Sequence, residues 1–229
     1  MSLELRREIV YTCLQLREMG YIIGTYGNLS ARVHGGLLIT PSRMDYDTMR
    51  PDDLVVVSLE GERLEGARLP SSEMEVHRQI YVRRPDIGAV IHTHSFYATA
   101  LSCARRCVPV IVEEQSQVVG DELRCTNYVP AGQHRQLGEE VAGALGESNG
   151  VLLANHGVVA CGRDLADALL TAQVVERVAH MWLLAQAAGG AVPIPGEHVR
   201  SERDRWLHKY GSPEDGVLRP AAHPGERRG

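Results

Sequence analysis

At 229 residues, 44% of them apolar, the chain is long enough to fold as one domain with a substantial core. A formal net charge of −5 excludes a nucleic-acid partner held by bulk electrostatics. Five cysteines without a C-x-x-C pair exclude a disulfide framework, and no apolar run marks a signal peptide or a membrane span. The expectation is a soluble cytoplasmic protein with no membrane partner, its thiols reduced and serving as small core residues.

In chain order, Leu5, Ile9, Val10, Cys13, Leu14 and Leu16 recur at helical spacing and predict a helix over 3–19. The loop Gly24-Thr25-Tyr26-Gly27-Asn28-Leu29-Ser30 follows. Its glycines, amide and hydroxyls can turn backbone N–H groups toward an anion, and a plain glycine turn before a strand explains the same residues. Strands are expected over 29–33, 36–40 and 54–59, with turn chemistry at Gly35-Gly36 and Pro51-Asp52-Asp53. Pro41 ends the second strand and leaves Thr40, Ser42 and Arg43 at its tip. Ser71-Ser72-Glu73 opens a helix predicted over 72–84, where Ser72 and Glu75 fit an S-x-x-E capping box. That box leaves Ser71 and Glu73 unexplained. A serine pair at a helix N-terminus suits a phosphate, and Glu73 in the first turn then stands beside that anion or beside a metal.

The apolar run Ala89-Val90-Ile91 ends in His92-Thr93-His94. On a strand, the period of two puts both imidazoles on one face, where they can hold a divalent metal; polar residues closing a strand have the same pattern. A third histidine in Asn155-His156-Gly157, after the apolar run 150–154, strengthens the metal reading, because catalytic zinc sites use about three protein ligands and an open position. Between these runs the pattern predicts a helix over 95–104, a strand over 108–112, a solvated loop at Glu113-Glu114, a loop over 127–132 and a helix over 133–146. Strands 150–154 and 158–161 pair across Gly157, a helix over 164–188 packs on the sheet, and a short helix over 199–210 ends at Lys209-Tyr210-Gly211. Residues 212–229 are rich in proline, glycine and charge and are expected to form a disordered tail, leaving one α/β domain over residues 1–211.

Three histidines, a carboxylate and an anion site built from Asn28, Ser71 and Ser72 point to one chemistry. A divalent metal chelated by a ketone oxygen and its neighbouring hydroxyl polarises the carbonyl and stabilises the enediolate formed when a C–H or C–C bond breaks. Glu73 can move the proton, and an anchored phosphate supplies orientation. A metal hydrolase uses the same parts but leaves the serine pair and Gly27-Asn28 without a purpose.

The series Gly27-Asn28-Leu29-Ser30, Thr40-Pro41-Ser42, Ser71-Ser72-Glu73, His92-Thr93-His94 and Asn155-His156-Gly157 resembles the class II aldolase/adducin family over about residues 3–190, with a weaker echo at Tyr210-Gly211. The resemblance implies an α/β/α sandwich around a mostly antiparallel sheet, and a C4 homotetramer with active sites at subunit interfaces. It implies Zn²⁺ on His92, His94 and His156, with Mn²⁺ or Co²⁺ also able to bind imidazole. It implies Glu73 as the catalytic acid/base and phosphate contacts from Asn28, Ser42, Ser71 and Ser72. Tyr210 matches a C-terminal tyrosine that reaches a neighbour's site. The implied reaction cleaves a ketose 1-phosphate to dihydroxyacetone phosphate and an aldehyde. Glu73 stands where related pentulose-phosphate 4-epimerases usually carry Asp, and the three histidines argue against an adducin-like scaffold. A decarboxylase of a phosphorylated keto-acid and a methylthioribulose-1-phosphate dehydratase stay as alternatives. Two departures bear on the substrate. Arg43 stands where the family often has Gly, and either adds a cation to the phosphate site or crowds it. Val112-Glu113-Glu114-Gln115 occupies the region of a second catalytic tyrosine, so the aldehyde pocket is expected to differ. Candidate substrates are a fuculose-1-phosphate-like ketose, 5-deoxyribulose 1-phosphate and methylthioribulose 1-phosphate.

Overall fold

The computed structural model describes residues 2–212; the expected tail from 213 onward lies outside the described residues. Among the described residues, eight strands form one sheet. They are β1 (Asn28–Val33), β2 (Gly36–Ile39), β3 (Val55–Ser58), β4 (Arg63–Glu65), β5 (Ala89–Thr93), β6 (Arg124–Cys125), β7 (Gly150–Leu153) and β8 (Gly157–Gly162). Their order is β4-β3-β2-β1-β5-β8-β7-β6. Every pairing is antiparallel except that of β6 with β7.

The pleat sorts side chains to two faces. Ala89 and Ile91 of β5 join Leu29, Ala31 and Leu38 beneath α1 (Leu3–Glu18) and α5 (Leu165–Ala187). Val90 joins Leu37, Ile39, Val55 and Val159 beneath α2 (Met74–Arg83) and α4 (His134–Leu145). α3 (Phe96–Ala104) packs with α5 over Leu152 and Val158, and α6 (Gly196–His208) closes the described chain. Helices therefore cover both faces, and the expected α/β/α sandwich is what forms. No helix among the described residues is long and apolar enough to cross a membrane.

Several local expectations are corrected. Residues 108–112 do not form a strand, because Pro109 has no N–H to give a ladder and only Val108 makes an isolated bridge, to Leu123. Glu113 and Glu114 are not a loop; they lead into a π-helical turn over Gln115–Val119. The capping box between Ser72 and Glu75 does not form. The helix starts at Met74, Ser71 Oγ accepts the Glu73 N–H at 3.2 Å, and the Glu75 carboxylate takes Arg78 and Gln79 instead. β4 and β6, which are exposed or only two residues long, carry too little apolar pattern to be read from sequence. All five cysteines are free thiols, but only Cys13 and Cys161 are core residues, while Cys103 and Cys107 are exposed.

One buried carboxylate anchors the element that follows the histidine strand. Glu176 of α5, 8% exposed, accepts the N–H groups of Tyr97 and Ala98 at 2.8 and 2.9 Å, at the free N-terminus of α3. Glu176→Ala is expected to cost about 1.5–3 kcal/mol, the scale of hydrogen bonds to a charged group, read as a lower urea midpoint.

Candidate active site

The site is built on β5, which has β1 on one side and β8 on the other. Antiparallel pairing sets Asn28 opposite His92 and Ser30 opposite Val90. On the far side it sets His92 opposite Val159. Asn28, Ser30, Val90 and His92 thus share the face that α2 covers, and the N-terminus of α2 brings Glu73 over them.

His92 is 1% exposed, and its Nδ1–H donates to the Val158 carbonyl at 3.0 Å. That bond fixes the tautomer and leaves the Nε2 lone pair aimed into the site. His94 follows at the strand end, where its backbone N–H donates to the Tyr21 carbonyl and its ring stacks on Tyr26, centroids 5.6 Å apart. His156 sits on the turn joining β7 to β8, after Asn155 at φ +56, a left-handed position that asparagine tolerates. Gly157 lets the rings close up: a Cβ there meets the Thr93 carbonyl oxygen at 2.4 Å and His94 Cδ2 at 3.0 Å. The three rings lie with centroids 4.8–5.0 Å apart, and one candidate ligand atom from each falls within 4.8 Å of the others. His92 Nε2 and His94 Nε2 stand 3.2 Å apart. Zn–N bonds of about 2.0–2.1 Å in a tetrahedron set nitrogens roughly 3.3–3.4 Å apart, so the donor set fits a tetrahedral divalent metal. Burial pushes the pKa of His92 down and that of His94 down to about 4, which keeps both in the neutral, ligating form.

Glu73 faces this triad. Its Oε2 lies 3.3 Å from His92 Nε2 and its Oε1 3.1 Å from His156 Nε2, and the Asn28 amide donates to Oε2 at 2.7 Å. Burial alone raises its pKa, but His92, His156 and the Asn28 hydrogen bond outweigh it and hold the carboxyl well below the usual range.

Beside the triad, residues 40–42 and 69–71 run antiparallel. Pro41 bridges Pro70, Ser42 N–H donates to Leu69 O, and Ser71 N–H donates to Thr40 O, both at 3.0 Å. This brings Ser42 to Ser71 and Ser72 at the start of α2. Asn28, Ser42, Arg43, Ser71, Ser72, Glu73, His94 and His156 all line one cavity of about 1030 Å³. Its wall includes two basic residues the sequence reading passed over, Arg68 and His134. Arg43 has φ +55, which accounts for a position where glycine is the strain-free residue. Tyr210 is not brought to this cavity. It follows α6, 57% exposed, with its ring 4.7 Å from that of Trp206.

The sequence reading assigned no role to His77 or Tyr81 and quoted Ser30 only within its motif; all three lie fully buried behind Asn28. The signal was available: Glu73, His77 and Tyr81 recur every four residues along a helix, and Asn28 and Ser30 alternate on a strand.

A family model described as "Class II Aldolase and Adducin N-terminal domain" matches residues 7–183. The chain belongs to the class II aldolase and adducin family. Within it, the chain is 36% identical over 208 residues to a Haemophilus influenzae protein named L-fuculose phosphate aldolase, covering 91% of this chain and 95% of that one. It is 35% identical over 218 residues to a Rhodospirillum rubrum protein named 5-methylthioribulose-1-phosphate/5-deoxyribulose-1-phosphate aldolase, covering 95% and 96%. A solved structure titled L-fuculose 1-phosphate aldolase superposes with a TM-score of 0.87 at 33% identity, covering 90% of this chain and 98% of that chain. Class II aldolases depend on a metal, and the histidine triad is where this member can hold one.

Two outcomes follow from the geometry. Gly157→Ala displaces two of the histidines and is expected to weaken metal binding on the order of 10–100-fold in a competition titration with a chelating dye. Burial pushes His77 down to about pKa 3. The unfolded chain takes up a proton near pH 6.5 that the native state refuses, so this residue's contribution to stability falls as pH drops from about 6.5 toward about 3. The slope is about 1.4 kcal/mol per pH unit. Urea unfolding of wild type and His77→Gln across that window should show a shallower decline in the variant.

Proposed function

We propose that the chain is a metal-dependent class II aldolase that cleaves a ketose 1-phosphate to dihydroxyacetone phosphate and an aldehyde. The observation that carries this reading is the position of Glu73. Its carboxylate lies within 3.3 Å of two triad histidines, and its backbone N–H is held by Ser71 of the anion cradle. A proton-moving group thus stands between a metal-ligating triad and a phosphate-binding cradle, which is the arrangement a carbon adjacent to both requires.

His92, His94 and His156 would hold the ion, which we take to be Zn²⁺, with Mn²⁺ or Co²⁺ able to use the same imidazoles. When bound, such an ion supplies Lewis-acid polarisation of a ketone carbonyl and several kcal/mol of charge stabilisation. The side chains of Asn28, Ser42, Ser71 and Ser72 bind the substrate phosphate, and Arg43 adds a positive charge on the same wall. That anchorage fixes the C3–C4 bond over Glu73. As the C3–C4 bond breaks, its electron pair stays on C3 and the C4 hydroxyl gives up its proton as the aldehyde forms; Glu73, having taken up that proton, delivers it to C3 and so completes dihydroxyacetone phosphate. In the synthetic direction the same carboxylate, held ionised by its neighbours, removes that proton.

The remaining parts lie at the surface. Tyr210 completes the site of a neighbouring copy, where it orients or protonates the aldehyde; its exposed position outside its own cavity supports a role in trans. Ile23, Tyr26, Leu69 and Phe96, each more than 60% exposed, supply apolar area for a C4 homotetramer with interfacial active sites. Residues 1–211 act as one domain in the cytoplasm. The stretch Glu113-Glu114-Gln115 that leads into the π-helical turn has no tyrosine for a polyhydroxylated aldehyde, which favours 5-deoxyribulose 1-phosphate or methylthioribulose 1-phosphate over fuculose 1-phosphate.

Dihydroxyacetone phosphate release from a panel of fuculose, ribulose, 5-deoxyribulose and methylthioribulose 1-phosphates should stop on chelation and return with Zn²⁺. Glu73→Gln should keep full metal content and lose on the order of 10²–10⁴-fold in kcat. No release from any of these by metal-loaded protein points to the decarboxylase or dehydratase chemistry of the same family instead.

A further inference from the structure

Behind the proposed acid/base lies a row of polar side chains sealed in the core. Ser30 and His77 are 0% exposed, Tyr81 is 1% and Asn28 4% exposed. His77 Nε2 is 2.5 Å from Asn28 Oδ1, His77 Nδ1 is 2.7 Å from Ser30 Oγ, and Ser30 Oγ is 2.9 Å from the Tyr81 hydroxyl. Asn28 Nδ2 donates to Glu73 at 2.7 Å.

The proton positions in this row are over-determined. The NH₂ end of Asn28 faces Glu73 and its Oδ1 end faces His77. His77 Nε2 must therefore carry a proton to give to Oδ1. Burial keeps the ring neutral, so Nδ1 has none and accepts from the Ser30 hydroxyl. Ser30 Oγ is then free to accept from Tyr81, whose hydroxyl also lies 3.1 Å from the Ser30 carbonyl. From Ser30 onward every donor in the row points toward Glu73, and such aligned bonds reinforce one another.

We infer that His77, held by Ser30 and Tyr81, is a positioning residue: it locks the Asn28 amide with its NH₂ end toward Glu73 and the cavity. The inference rests on the proton-transfer role proposed for Glu73. Its consequence appears when Glu73 carries the proton. An unlocked amide could then turn its Oδ1 to Glu73, accept the O–H and trap the proton. A locked amide offers only N–H, which favours the ionised carboxylate and so drives the proton onto the substrate carbon. The same lock keeps the amide a donor toward the substrate phosphate. A core that needed only packing at these positions would be served by apolar side chains of similar volume.

The test uses the full-length, metal-loaded enzyme. It measures metal content, KM and kcat for cleavage, and the exchange of the C3 proton of dihydroxyacetone phosphate with deuterated solvent. His77→Leu and the gentler Ser30→Ala should keep metal content and slow exchange on the order of 10–100-fold, with KM raised as well. His77→Gln keeps an N–H donor for Asn28 Oδ1 and should stay within about 3-fold of wild type. In an Asn28→Ala background, adding His77→Leu should cost no more than about 3-fold further, because the lock acts through Asn28. Wild-type exchange in folded, metal-loaded His77→Leu and Ser30→Ala, alongside a slow Glu73→Gln, overturns the lock and leaves the Glu73 role standing. Equal losses in His77→Leu and His77→Gln, or effects that multiply with Asn28→Ala, also overturn it. Wild-type exchange in Glu73→Gln overturns the role of Glu73 and the lock with it.

Discussion

The structure depends on a match between two repeats. Along β1, Asn28 and Ser30 lie two residues apart, about 6.6 Å; along α2, His77 and Tyr81 lie four apart, about 6 Å. Because those spacings nearly coincide, the strand and the helix can face each other rung by rung. Asn28 meets His77, Ser30 meets Tyr81, and the next step up the helix is Glu73. The pairing of β1 with β5 then sets His92 beside Asn28, so one register decides where the carboxylate stands relative to the imidazoles. A slip of one residue in that pairing sends Asn28 and Ser30 to the opposite face and dismantles the site without touching any of its residues.

Charge balance at the site follows from what surrounds it. Neutral imidazoles bring lone pairs together at 3.2 Å, an arrangement that repels unless a cation is shared. The carboxylate of Glu73 adds negative charge on the same side, and the Asn28 amide donates to it. A centre rich in acceptors and mostly screened from water favours a divalent ion strongly.

How much of this was legible depends on how each signal is encoded. The histidine strand was legible because period two and an apolar run are local facts, and the resemblance rested on five such short stretches in order. The two-sided layering was implied by the resemblance, and the alternation of Ala89, Val90 and Ile91 between two cores bears it out. The role of α2 was less legible. Ser72 and Glu75 had the letters of a cap, but Ser71 took that position and Arg78 took the glutamate. His77 was harder to read for a related reason: its four-residue spacing from Glu73 and Tyr81 is visible, but a lone histidine in an amphipathic helix reads as a solvated side chain until the strand beneath it is known. Tyr210 stays legible only through resemblance, since its own chain gives it no contact with the cavity.

Arg43 has a further meaning. Its backbone already sits in the left-handed region, so the cavity wall is shaped for a residue without a side chain and carries a guanidinium there instead. Under the proposed reaction, a cation on that wall attracts the phosphate of the ketose and of the released triose alike. Such uniform attraction tightens the capture of scarce substrate while it slows the departure of product. On that proposal position 43 sets a balance between scavenging and throughput, which one substitution to glycine would reset while relaxing the backbone.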